Sequence, residues 1–266
     1  MLPAMRTHNG LEYLEVHPSA ERVALVLHWG GASGRVGLPF AELLPDWRVI
    51  APSLRGHGRN PLPTAPVDVC GEDVADLLAH LGIAHLDRVY AYSLGAYAAT
   101  RLFGHVEVDQ AVLLAGGVVP LGVAIPDVFD APTSQADETQ AWLAQERAKL
   151  ATPGRAADDI AREWEMMRAI YQDIFDLSQP RLTFRLAPEV MRPAIESVWQ
   201  DDYFAAPVAL PRRLLFWNGN DPGACRPYIE RFARHEGCSE ITLDFDPFDV
   251  RWETIRRVIA LLETSE

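Results

Sequence analysis

A single serine sits at the bend of Val89-Tyr90-Ala91-Tyr92-Ser93-Leu94-Gly95-Ala96, where an apolar strand gives way to an alanine-rich helix. A strand-to-helix turn this tight holds a hydroxyl out at the edge of a sheet. It requires small residues two before and two after the serine, so that strand and helix can pass closely. Ala91 and Gly95 meet that requirement. A hydroxyl so presented attacks acyl carbons when a base takes its proton and amide donors receive the charge that develops on the carbonyl oxygen. The same short string also describes a serine at an ordinary helix start, so its surroundings decide.

Positioning such a serine takes a buried sheet. Arg22 to Leu27 is a continuous apolar run that ends in His28-Trp29-Gly30-Gly31-Ala32-Ser33-Gly34, the pattern of a buried parallel strand followed by a loop of exposed amides. Trp47 to Pro52 reads as a second such strand, closed by Ser53-Leu54-Arg55-Gly56-His57-Gly58-Arg59-Asn60. Leu11 to His17 reads as an N-terminal strand, Val67 to Leu81 as a helix with Val74, Leu77 and Leu78 inward, and Ala111 to Ala115 as the strand after the elbow. From Val118 to Ala206 no strand pattern appears. Ile160, Trp164, Met167, Tyr171 and Ile174 recur there at helical spacing, with further helices around Asp137 to Leu150 and Pro188 to Phe204. Strand character returns at Arg213 to Trp217 and Glu240 to Phe245, and Thr254 to Leu262 closes the chain as a helix. The expected fold is α/β: a mostly parallel, doubly wound sheet formed by residues 1–117 and 207–266, with 118–206 inserted as a helical cap.

The histidine-glycine loop at His28-Trp29-Gly30, the arginine-glycine-histidine-glycine loop at Arg55-Gly56-His57-Gly58 and the elbow at Ser93 follow one another in the order of the α/β-hydrolase superfamily. The chain resembles the capped serine hydrolases of that superfamily along nearly its whole length, with the motifs densest from Val23 to Leu114. Ala91 stands where the family usually has glycine, as does Asn218 in a later loop. The resemblance implies an oxyanion site made by the amides of Leu94 and of Trp29 or Gly30. It also implies an acid after the strand Arg213 to Trp217, where Asn218-Gly219-Asn220-Asp221-Pro222 offers Asp221. Finally it implies a histidine base after the last strand, and here the chain departs from the pattern. Past Glu240 there is no histidine, and the loop reads Leu243-Asp244-Phe245-Asp246-Pro247-Phe248-Asp249-Val250-Arg251-Trp252.

Function in open parallel sheets collects at the carboxyl ends of the strands, which sorts the remaining histidines. His80, His85, His105 and His235 precede strands and belong to the opposite edge, while His8 and His17 fall in an N-terminal hairpin region and are expected to be solvated. His28 and His57 follow strands on the active edge, each at a position where the family's histidine braces a backbone turn. The candidates for a substitute base are His28, which adjoins the oxyanion loop, and the carboxylates Asp246 and Asp249 beside Phe245 and Phe248. A pocket between sheet and cap is expected to be walled by Trp29, Tyr92, Trp164, Tyr171, Trp199 and Tyr203, residues whose helical spacing suits cap core equally well. Two functions follow. One is hydrolysis of a small ester, thioester or lactone by a serine with an incomplete triad; the other, a route that the resemblance leaves open, is binding of a small apolar ligand without turnover.

Composition bounds both readings. Hydrophobic content of 48% and charged content of 23% over 266 residues suit one catalytic-size domain. A net charge of -13 disfavours nucleic acid and anionic membranes as partners. Cys70, Cys225 and Cys238 lack metal-type pairing and read as buried thiols, and neither a metal nor a cofactor is expected. The opening residues lack the apolar core of a secretion signal and no run is long enough to span a bilayer, so the cytoplasm is the expected location. The pattern leaves oligomeric state open.

Overall fold

The computed structural model describes residues 2–130, 134–187, 189–205, 208–219 and 222–263. Its strands are β1 (Met5–His8), β2 (Leu11–Val16), β3 (Arg22–Leu27), β4 (Trp47–Pro52), β5 (His85–Tyr92), β6 (Glu107–Leu114), β7 (Ser134–Ala136), β8 (Leu182–Thr183), β9 (Arg213–Trp217) and β10 (Cys238–Ile241). Its helices are α1 (Gly37–Leu43), α2 (Val67–His80), α3 (Leu94–Leu102), α4 (Leu121–Ala124), α5 (Thr139–Ala148), α6 (Ala157–Ile174), α7 (Arg192–Ser197), α8 (Pro222–Phe232) and α9 (Trp252–Ala260).

Eight strands form one sheet in the order β1-β2-β4-β3-β5-β6-β9-β10, parallel from β4 to β10 and antiparallel at the β1-β2-β4 end. Both faces of the central strands are covered, which is why their sequences run apolar without alternation. Leu25, Leu27, Val89, Ala91, Ala111 and Leu113 pack one way, against α2, α3 and α8. Ala24, Val26, Tyr90, Tyr92, Val112 and Leu114 pack the other way, against α1, α6 and α9. The face of α9 is set by Trp252, Ile255, Val258 and Ile259, all buried at helical spacing.

The segment between β6 and β9 supplies α4 to α7 and rests on the carboxyl edge of the sheet. Polar contacts fasten it there. The Ser33 hydroxyl donates to Asp173 Oδ2 of α6 at 2.7 Å, the Thr64 hydroxyl donates to the Val190 carbonyl at 2.7 Å, and the amide of Val67, the first residue of α2, donates to Ser197 Oγ at 3.0 Å. Glu163 of α6 is almost fully buried and accepts the Trp252 amide at the start of α9 at 2.6 Å. A carboxylate at that helix end is favoured by the helix dipole.

Some elements depart from the sequence pattern. The insertion contains an antiparallel pair, Ser134 with Thr183 and Ala136 with Leu182, where no strand was expected, because pairs this short carry no period to read. Helix in the region expected from Pro188 to Phe204 is confined to α7 and a 3₁₀ turn at Tyr203–Ala205, and Pro188 itself lies outside the described residues. Between them Asp201 and Asp202 turn to Arg101 and Arg231. The last strand starts two residues earlier and ends at Ile241, four residues short of Phe245. His8 and His17 are engaged rather than freely solvated: His8 stacks on His80 at 3.9 Å and meets Asp76 at 2.9 Å, and His17 Nε2 donates to the Ala41 carbonyl at 3.2 Å. The three cysteines are buried and unbridged. Among the described residues no helix is long and apolar enough to cross a membrane.

Candidate active site

Ser93 joins β5 to α3 with φ +47° and ψ −113°, a conformation that a residue with a Cβ holds only where the surroundings impose it. The surroundings are specific. The Ser93 amide donates to the Leu114 carbonyl of β6 at 2.7 Å, and the Gly95 amide donates to the His28 carbonyl beyond β3 at 3.1 Å. A Cβ on Gly95 would stand 2.6 Å from the carbonyl oxygens of Leu27 and His28, so only glycine lets α3 cross β3 at this depth. Gly116 approaches from the other side, where a Cβ would lie 2.4 Å from the Ser93 carbonyl oxygen. Between β6 and Gly116, Ala115 is itself left-handed at φ +56°. The sequence reading did not single out Gly116; its one visible signal is the Ala115-Gly116-Gly117 run directly after a buried strand. Ser93 is half-buried, and among the described residues its hydroxyl has no hydrogen-bond partner.

Leu94 is the first residue of α3, and its amide has no acceptor among the described residues, as expected of a helix start. The same holds for the amides of Trp29 and Gly30. The loop that carries them is folded by an Ala32 amide donating to the Trp29 carbonyl at 3.1 Å, with Gly31 at φ +86°. Met191, just before α7, covers this loop closely enough that a Cβ on Gly30 would meet its sulfur at 3.0 Å. Free amides at a helix start and in a facing loop form an anion-binding arrangement.

His28 holds that loop and has no lone pair left. Its Nδ1–H donates to the Trp29 carbonyl at 2.7 Å, which fixes the tautomer, and Nε2 accepts the Leu54 amide at 2.9 Å. The ring is completely buried, and burial, then the nearby His57, push its pKa down to about 3. His28 is thus a neutral brace between the loops after β3 and β4. The His57 ring lies 4.9 Å from it, donates from Nδ1 to the Arg55 carbonyl at 2.9 Å, and keeps a buried Nε2 with no partner among the described residues.

The loop after β10 is closed on itself. Asp246 is exposed and accepts the Phe248 amide at 3.0 Å, a local turn. Asp249 accepts the Arg251 amide at 3.1 Å and its Nε at 2.6 Å, together with the Thr254 hydroxyl at 3.3 Å, so it is committed to the start of α9. Phe248, between these two, points its ring at Trp29 (5.5 Å) and Tyr92 (5.8 Å), and Trp29 and Tyr92 meet each other at 5.7 Å. These edge-on contacts bring the post-β10 loop, the oxyanion-side loop and the residue preceding Ser93 into one aromatic cluster. Burial raises the Tyr92 phenol pKa, and its hydroxyl is without a partner among the described residues. Asp221 lies outside the described residues.

The other aromatic residues expected in the pocket fall into separate clusters. Tyr171 packs with Trp142 and Phe175 inside the insertion and donates to Glu146 Oε2 at 3.2 Å. Trp164 is half-buried on α6 and faces α5. Trp199 stacks on Phe129 at 5.9 Å. Tyr203 lies under the Arg101 guanidinium at 5.1 Å, in the last turn of α3 and a full helix length from Ser93.

Residues 24–246 match the model of the alpha/beta hydrolase family. No curated protein sequence matches the chain. Among solved structures, it is similar to E-2-(acetamidomethylene)succinate hydrolase at 18% identity, covering 98% of this chain and 99% of that one with a TM-score of 0.65. The thioesterase domain from the curacin biosynthetic pathway gives 16% identity, 98% of each chain and a TM-score of 0.63. A hydrolase from Pseudomonas aeruginosa PA01 gives 19% identity, 98% and 95% coverage and a TM-score of 0.58. With the parallel sheet, the inserted helical region and a family match over most of its length, the chain belongs to the alpha/beta hydrolase family.

Proposed function

We propose that this protein is a cytoplasmic serine hydrolase of small carboxylic esters, thioesters or lactones, with residues 118–206 as a cap and Ser93 as nucleophile. The observation that carries this reading is the conformation of Ser93. A residue held at φ +47°, ψ −113° costs on the order of 1–3 kcal/mol, and such strain is characteristic of active sites. The step it serves is acyl transfer. Ser93 Oγ bonds to the acyl carbon as its proton passes to a base, and the carbonyl oxygen, now negative, is held by the Leu94 amide and that of Trp29 or Gly30. The C–O or C–S bond to the leaving group then breaks, and water hydrolyses the acyl-serine. Each oxyanion donor is worth roughly 3 kcal/mol of barrier.

The proton acceptor is the weak part of the site. With both His28 nitrogens engaged and Asp249 held by Arg251, the base in this reading is an unconventional one such as the exposed Asp246, with Asp221 as the orienting acid. A serine with oxyanion donors and no histidine retains only about a thousandfold advantage over water. Turnover is therefore expected to be slow and confined to activated substrates. A second reading, an inactive family member that holds a small apolar ligand, is favoured by one observation: Phe248 packs against Trp29 and Tyr92 in the loop where the family carries its histidine.

Turnover of a series of p-nitrophenyl esters and thioesters by the wild type and by Ser93→Ala separates the two. The hydrolase reading expects a slow activity lost at least a hundredfold in the variant. Equal rates for both proteins would remove Ser93 from the chemistry.

A further inference from the structure

Two depressions adjoin, one within the insertion and one where the insertion meets the loop after β4, and no elbow residue lines either. One, of about 620 Å³, runs between α5 and α6, where Leu143, Ile160, Trp164 and Leu177 give it an apolar wall beside Gln140, Arg147 and Arg168. The other, of about 510 Å³, lies where the end of α6 meets the loop at Gly58 and Arg59. Arg168 and Leu177 line both, so the two adjoin as one trough whose first part has the apolar wall and whose second part gathers Arg59, Arg168 and Arg185 around Asp173.

The cationic end is unusual for this chain. Acids outnumber bases 37 to 24, and arginines such as Arg35, Arg55, Arg155 and Arg162 are paired with carboxylates. Arg59, Arg168 and Arg185 have no carboxylate ion pair among the described residues, yet all three line the same depression. Arg185 is oriented by its Nε, which donates to the carbonyls of Gln172 (2.6 Å) and Phe175 (3.0 Å), and its terminal nitrogens make no hydrogen bond among the described residues. The acids nearby are already engaged. Asp173, which lines the depression, accepts the Ser33 hydroxyl at 2.7 Å and pairs with Arg35 at 3.1 Å, and Asp176 accepts the Ser178 hydroxyl at 2.6 Å while also feeling the charge of Arg185.

We propose that this trough binds a single-chain amphipathic carboxylate, its head group among Arg59, Arg168 and Arg185 and its alkyl tail along Trp164 and Ile160. Planar guanidiniums match a carboxylate in paired hydrogen bonds, and the volumes fall in the range of small-molecule sites. From Arg168 to Ile160, at ~1.5 Å per helical residue, the wall is about 12 Å long, enough for a chain of roughly ten carbons. This site is separate from the elbow and does not depend on the hydrolase reading.

Isothermal titration of the whole protein with decanoate tests it, beside octanoate, decanol, inorganic phosphate and anionic phospholipid vesicles. One decanoate per chain is expected, with octanoate roughly tenfold weaker for its two missing methylenes. Arg168→Glu and Arg59→Ala, both at exposed positions, should each weaken decanoate at least tenfold with an unchanged circular dichroism spectrum. Ser93→Ala should leave the affinity unaltered. Decanol or phosphate binding as tightly as decanoate, vesicle binding without decanoate binding, or loss of binding in Ser93→Ala would each overturn the proposal.

Discussion

The two halves of the candidate site are built from different materials. On the elbow side, position is enforced by backbone: Ser93, Gly95 and Gly116 are threaded between β3, β5 and β6 so tightly that a single added carbon would collide with carbonyl oxygens. On the opposite side, the loop from Thr242 to Arg251 is held by side chains, through the Asp249–Arg251 pair and the edge contacts of Phe248. Backbone-enforced geometry admits few substitutions, whereas a side-chain plug is replaceable. The strained serine thus rests on backbone packing, whereas the loop that faces it rests on an aromatic ring and an ion pair.

Acidification should expose the elbow side most strongly. His28 is neutral when folded, with its pKa down at about 3, and unfolding returns it to the ordinary histidine value of 6.5. The unfolded chain therefore binds the extra proton between those two values, so stability is full above pH 6.5, falls as the pH drops towards 3, and loses nothing more to this group below that. The loss is on the order of 4 kcal/mol. Urea unfolding from pH 7 to 4 should show this slope, and a His28→Gln variant that still folds should show a shallower one. An equal slope would mean that other groups carry the acid sensitivity.

Gly95→Ala and Gly116→Ala come next. Each drives a Cβ to within 2.6 Å of backbone that cannot swing aside, for a loss of about 3 kcal/mol. A cost below ~1 kcal/mol in denaturant melts would show that the elbow is looser than its geometry implies. On the other side, Phe248→His should be tolerated, because the ring is only half-buried, and should raise ester turnover at least tenfold by returning an imidazole to the loop. Unchanged turnover in a folded variant would mean that loop position, and not residue type, is what fails.

The smallest effect is the most diagnostic of strain. Ser93→Gly removes the Cβ from a left-handed φ and should stabilise the protein by about 1 kcal/mol while abolishing turnover. A destabilised glycine variant would imply that the serine side chain contributes contacts that outweigh the strain.

Much of the elbow side was legible in the sequence because it rests on local rules. An apolar run, small residues around Ser93 and a glycine loop after His28 specify strand, turn and free amides without reference to distant residues. The strand Arg213 to Trp217 was read at its true limits for the same reason. The opposite side was not legible. That Phe248 meets Trp29 and Tyr92 depends on how the chain leaves β10 at Ile241, four residues before an apolar pattern suggested. The aromatic residues of the insertion were recognisable as helical stripes, but period alone does not say which partner a stripe finds. Tyr171 turned to Trp142, Trp199 to Phe129 and Tyr203 to Arg101. His28 was read as adjoining the loop after β3, yet the hydrogen bonds that occupy both of its nitrogens depend in part on the Leu54 amide of a separate loop.

The claim at the centre of this account is that Ser93 is a nucleophile, and intact-mass and peptide mass spectrometry after treatment with a fluorophosphonate test it most directly. A single adduct on the peptide containing Ser93, absent from Ser93→Ala, is the expected result. A protein that stays unmodified, or that carries its adduct on another residue, would contradict it.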